Sequence, residues 1–351
     1  MVKTHSRNIW LDIFRYLLAF MVVCIHFSRE IGSFNIGYLC RIAVPFFFAI
    51  SGFYLYSKDR DEELVKSKKA VKRNFIYLIT ALTISFVYEL CLAFESAEKL
   101  KEFFIQIYDP NNLINFFIIN KPPFGTAVLW FIIAFFVLSL FHYFMVKCKA
   151  KKVYKFLIPI CLFIFILPNY YNLLVEPFVV SSYYVRNWVL IGIPAFGIGY
   201  YLRKITIDKQ NNSWKYGAIW LILSLSFFAL AYLEGMMIGV MDCYLSSIIC
   251  VVFLILFFDF LDKRPRGEKI QKFENSLSNI FYKWIGVKGA FYIYIIHIMV
   301  GYTLQAWTTL EGILLSVIIY MISFAIYMVF HLIMMLIRYL KSKAEEKKLI
   351  Q

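Results

Sequence analysis

Asp12, Arg15, His26 and Glu30 combine the side-chain types that hold anions and move protons near neutral pH. On a helix, Asp12 and Arg15 are three apart and share a face, so they can pair. Arg15 and His26 are eleven apart, three turns plus about 20°, which sets them on one stripe roughly 16 Å apart. Glu30 follows His26 by four residues, within reach of its imidazole. The surrounding residues are apolar, and an ionisable group within a membrane span costs on the order of several kcal/mol unless paired or hydrated. The competing reading of His26 is a buried histidine satisfied by a carbonyl. Its shared face with Arg15 and Glu30 favours chemistry.

Other polar residues join this stripe as candidates. His297 falls in the middle of a later apolar run and is placed to face His26 across a cavity. Arg41, near the outer end of the second run, either pairs with an acid or guards an outer vestibule. Glu234, Asp242 and Arg186 stand at segment ends, where snorkelling anchors outnumber site residues. His142 and His331 sit near the inner ends of their segments and read as interfacial. Ser51 in Pro45-Phe-Phe-Phe-Ala-Ile-Ser51-Gly52 has no neighbouring base and no nucleophile elbow, so the small pair reads as close helix packing beside a helix-bending proline. The run Lys66, Lys68, Lys69, Lys72 and Arg73 is either a plain basic flank or a cradle for the phosphates of a nucleotide-like donor.

The elements that must position these residues are membrane helices. The 351 residues are 61% apolar, 20% aromatic and 17% charged, against about 45–50% apolar and 25% charged in soluble domains. A water-soluble surface needs more charge than that. Apolar windows predict an all-α integral membrane protein with ten spans, near 9–28, 36–57, 75–95, 127–147, 153–172, 186–203, 214–233, 243–261, 287–305 and 312–337. With the N-terminus in the cytoplasm, the inner segments hold 30 of the 37 Lys and Arg. The outer loops hold five (Arg29, Lys99, Lys101, Lys121 and Arg186), and Arg15 and Arg41 lie within spans. The positive-inside rule therefore predicts two cytoplasmic termini.

That asymmetry accounts for the net charge of +15 without a nucleic-acid partner. The bilayer is the expected surrounding, in one transmembrane domain over residues 1–340 with a charged tail at 341–351. The first span does not read as a cleaved signal, because it is long, charged at Asp12 and Arg15, and lacks a small-residue cleavage site. The outer loop 96–126 holds a short apolar stretch, Leu113 to Ile119, expected on the interface. The inner loop 262–286 has the pattern of a helix lying on an anionic leaflet. Seven cysteines without a Cys-x-x-Cys pair indicate neither a metal site nor a disulfide framework.

These motifs resemble the membrane acyltransferase-3 family. Leu11-Asp-Ile-Phe-Arg15 followed by His26 is similar to its Arg-x10-His signature. Pro45-Phe-Phe-Phe-Ala-Ile-Ser-Gly52, Leu129-Trp130-Phe131 and Tyr294-Ile-Ile-His297 are similar to family patterns in the right order along almost the whole chain. The resemblance implies a multi-pass enzyme of a bacterial cell membrane that moves an acyl group, usually acetyl, from cytoplasmic acyl-CoA to a hydroxyl of a cell-envelope glycan or similar acceptor. It implies no metal and leaves self-association open. His26, oriented by Glu30, would be the general base. Arg15 with Lys69, Lys72 and Arg73 would hold the donor, and Trp130 would pack its pantetheine or acyl arm. Arg41, Glu234, His297 and Arg186 would line the acceptor's path. The family's two arginines spaced three apart are Lys69-Ala-Val-Lys72-Arg73 here. The segment from Arg186-Asn187-Trp188 to Tyr200 is also similar to the membrane half of vancomycin-resistance serine racemases, which implies an L-serine permease module as the alternative.

Overall fold

A computed structural model describes residues 8–28, 34–125, 127–171, 182–209, 213–286 and 288–350. Long apolar segments leave the backbone no partner but itself, and helices follow. In chain order they are α1 (Ile9–Phe27), α2 (Ile36–Cys40), α3 (Ala43–Leu55), α4 (Arg60–Ala93), α5 (Ala97–Ile107), α6 (Asn112–Ile118), α7 (Trp130–Lys147) and α8 (Tyr154–Tyr171). After these come α9 (Ser182–Val185), α10 (Ile193–Thr206), α11 (Trp214–Ile238), α12 (Leu245–Lys263), α13 (Glu268–Ile280), α14 (Gly289–Trp307) and α15 (Gly312–Ile350). Among the described residues, eight stretches are long and apolar enough to cross a membrane, with α2 and α3 counted as one. Helices α8 and α10 occupy the positions of the fifth and sixth expected spans without being among those eight.

The chain divides into two compact units: a terminal one formed by Met1–Ile36 with Arg266–Gln351, and a central one, Gly37–Pro265. In the terminal unit α1 packs on the α14–α15 hairpin. Asn8 caps α1 by accepting from the Leu11 amide at 3.2 Å. The edge-on contacts of Tyr16 with Phe324 and of Phe20 with Tyr320 run α1 antiparallel to α15. Tyrosine hydroxyls tie the helices to one turn: Tyr16 donates to the Gly286 carbonyl at 2.6 Å and Tyr327 to that of Ile285 at 2.7 Å. Gly286 holds φ +72°, which a side chain would strain. The amphipathic helix expected within 262–286 is α13, anchored where Trp10 donates to Glu274 at 2.8 Å and Arg266 pairs with the same carboxylate at 2.9 Å.

In the central unit α3 and α10 meet backbone to backbone. A Cβ on Gly52 would stand 2.0 Å from the Phe196 carbonyl oxygen, and one on Gly199 1.8 Å from that of Ala49. Small residues permit this approach, as the Ser51-Gly52 pair suggested. Pro45 does not bend the second span. The break falls at Arg41-Ile42, and Pro45 sits in the first turn of α3, where its missing N–H costs no helical bond. Helix α4 buries Glu63, Ser67, Ala70, Asn74, Leu78, Ala81 and Ser85, spaced three and four apart along one face. The loop 96–126 carries the short helices α5 and α6. Buried Asn120 accepts from the Trp188 amide at 2.8 Å and so ties that loop to the π-helical turn before α10.

Candidate active site

The chemistry-bearing residues of the terminal unit lie on α1 and α14. Arg15 donates to Asp12 at 2.7 Å, the pairing their spacing requires. Asp12 is buried, and its second oxygen accepts from the Tyr282 hydroxyl at 2.9 Å. Nothing in the spacing of the chain announces Tyr282, 270 residues away. Further along α1, the His26 and His297 rings approach to 5.5 Å between centroids. His26 is exposed, whereas His297 is 0% exposed and walled by Phe27 and Tyr294. Glu30, the expected orienting acid, lies outside the described residues.

His297 is fixed in one tautomer. Its Nδ1 stands 3.1 Å from the Ile293 carbonyl oxygen, which can only accept, so Nδ1 carries the proton. Nε2 is then an acceptor, buried and without a hydrogen-bond partner among the described residues. A buried polar atom without a partner is rare and calls for a functional or solvent explanation. A buried imidazole lone pair beside an exposed imidazole can accept a hydrogen bond from, or a proton of, a small hydroxylic molecule.

In the central unit the candidates assort differently. Arg41 and Arg186 share Asp242, at 3.2 and 3.6 Å, and the Arg186 guanidinium lies 5.7 Å from the ring centroid of buried Trp130. With side chains 11–18% exposed, these three are paired rather than snorkelling. Glu234 is also engaged: it accepts from Tyr170 and from the Leu245 and Ser246 amides at 2.9 and 3.0 Å, capping α12. Lys69, Lys72 and Arg73 form an exposed basic face on α4, and Arg73 Nε reaches Asn74 at 3.3 Å. Ser51 donates to the Phe47 carbonyl at 3.0 Å within its own helix, so its hydroxyl serves packing.

His142, expected at an interface, is instead fully buried among Tyr154, Phe196 and Tyr200. It belongs to a polar cluster that spacing did not reveal. Glu63, 0% exposed, accepts from Lys151 at 2.5 Å, and its other oxygen stands 3.8 Å from His142 Nε2, too far for a hydrogen bond. Burial and the Glu63 charge push the nearby Tyr56 hydroxyl up, which keeps it neutral. The available signal was an acid on the small-residue face of α4, hidden in the charged run from Lys58 to Arg73. His331 stacks on Tyr327 at 5.6 Å, half-buried.

The model of the acyltransferase-3 family, described as an acyltransferase domain, matches residues 8–337. The matched stretch takes in both units and every candidate residue above. No curated protein and no solved structure matches the chain.

Proposed function

The chain belongs to the acyltransferase-3 family, whose members are acyltransferases, and from that premise we propose that it carries an acyl group, acetyl in the first instance, from acyl-CoA to a hydroxyl of a cell-envelope glycan or similar acceptor. The observation that carries this reading is the His26–His297 pair, 5.5 Å apart, with the His297 lone pair unspent. His26 takes the acceptor's hydroxyl proton as that oxygen attacks the thioester carbonyl carbon. The C–S bond then breaks, and the imidazolium returns the proton to the leaving thiolate, giving an ester and a free thiol. His297 accepts a hydrogen bond from the acceptor and orients it. Arg15, held by Asp12, and the basic face of Lys69, Lys72 and Arg73 bind donor phosphates. Trp130 packs the donor's arm, and Glu30 orients His26. Arg41 and Arg186 line the acceptor's approach together with Glu234. The Lys/Arg asymmetry supports donor entry from the cytoplasm.

The test is acetyl-CoA binding and hydrolysis by the purified protein in nanodiscs, wild type beside Arg15→Ala and His26→Ala. The expected result is saturable binding that weakens in Arg15→Ala, with hydrolysis reduced about 10²–10⁴-fold in a folded His26→Ala variant. Absence of CoA binding by a folded wild type would overturn the donor assignment, and L-serine uptake in proteoliposomes would then test the permease alternative.

A further inference from the structure

A cavity of about 320 Å³ opens in the central unit where the C-terminal turns of α10 and α12 meet the first turns of α11. None of the residues assigned to acyl transfer lines it. One wall is aromatic and aliphatic, with Tyr216, Trp220 and Leu256. The other carries Thr206, Lys209 and Lys263. Two features mark it as built for an anion. The Thr206 hydroxyl is buried, the residue 8% exposed, and has no hydrogen-bond partner among the described residues. The charge is also unbalanced: Asp259 is taken by Arg203 at 3.0 Å and by Lys263 at 2.6 Å, and exposed Lys209 stands at the same mouth. The cavity wall thus carries two lysines and one carboxylate, and that carboxylate is also held by Arg203 behind it. The N-terminus of the 25-residue α11 adds its own partial positive charge.

The geometry points to a binding site for an anionic phospholipid of the adjoining leaflet. Its phosphodiester would rest on Thr206 and Lys209, and its first methylenes along Trp220 and Leu256. The cavity has the volume of small-ligand pockets, about 300–1,000 Å³, and its split wall suits a molecule charged at one end and apolar at the other. The Lys/Arg asymmetry assigns this end of the helices to the cytoplasm, the leaflet side on which basic pockets between helices meet anionic headgroups. Trp214, 62% exposed in the first turn of α11 and edge-on to the cavity-lining Phe260, is the residue type found at headgroup depth. The inference is independent of the proposed transfer reaction.

The experiment measures lipid retention by native mass spectrometry of full-length protein released from nanodiscs of phosphatidylcholine with or without phosphatidylglycerol. Wild type is expected to retain one phosphatidylglycerol in preference to phosphatidylcholine. Lys209→Gln removes an exposed charge without disturbing the fold, and is expected to weaken retention about fivefold, the factor for roughly 1 kcal/mol per lysine. Thr206→Val and Trp220→Ala should each weaken it severalfold, while Lys149→Gln, an exposed lysine outside the cavity, leaves it unchanged. An equal loss in Lys149→Gln would overturn the site in favour of general surface attraction. Displacement of the lipid by millimolar inorganic phosphate would make the ligand a soluble phosphate, and displacement by acetyl-CoA would make the cavity a donor subsite. Either result overturns the lipid assignment.

Discussion

Each unit leaves a buried imidazole nitrogen without a hydrogen-bond partner among the described residues, His142 Nε2 in the central unit and His297 Nε2 in the terminal one. The two differ in what stands beside it: the carboxylate of Glu63 in the first, the exposed imidazole of His26 in the second. In the central unit the buried charges are matched: Arg41 and Arg186 on Asp242, Lys151 on Glu63, Arg203 and Lys263 on Asp259, and Glu234 on the amides that open α12. The terminal unit also satisfies its carboxylates, Asp12 and Glu274, and keeps an imidazole lone pair at His297 unspent. Matched charges hold helices in place, and removing one partner strands the other in a low dielectric. An unspent lone pair contributes nothing to holding the fold and remains available for a substrate. Burial and an unspent nitrogen are shared by both imidazoles, so what separates them is the neighbour: an ion-paired carboxylate at His142 and an exposed imidazole at His297.

The sharpest way to break the comparison is His297→Phe, which keeps a buried ring but removes the Nε2 acceptor. Transfer is expected to fall on the order of 100-fold with an unchanged thermal midpoint. A large loss of stability with normal residual turnover would move His297 to the structural group. Glu63→Ala should do the reverse. Stripping Lys151 of its carboxylate is expected to cost about 3 kcal/mol and to lower the midpoint by several degrees, with turnover of the folded fraction retained. Gly199→Ala, whose Cβ would stand 1.8 Å from the Ala49 carbonyl oxygen, is expected to destabilise by about 2 kcal/mol by forcing α3 from α10. Ser51→Ala should change stability by less than about 0.5 kcal/mol and leave activity alone, because its hydroxyl is already bonded to Phe47. A loss of transfer in Ser51→Ala with normal stability would reopen it as a nucleophile.

Helix positions were legible because hydropathy in a bilayer is nearly a length measurement, and the Asp12–Arg15 pair because helical spacing brings residues three apart together. The His26–His297 approach was legible only as an expectation, since no local rule joins residues 271 positions apart. Tyr282 on Asp12 and Lys151 on Glu63 were not legible, because long-range partners follow from helix packing rather than local period. His142 was misplaced for a related reason. Proximity to a helix end does not imply contact with water when a neighbouring helix supplies Tyr154 and another Phe196 and Tyr200.

Helix α15 carries a practical consequence. Its 39 residues make a continuous rod of about 58 Å, roughly twice the thickness of a hydrocarbon core. A soluble helical protein spliced in register onto the far end of that rod would inherit its direction instead of swinging on a linker. Such a fusion would give a 41.5 kDa protein a rigid marker outside the micelle by which single particles can be aligned.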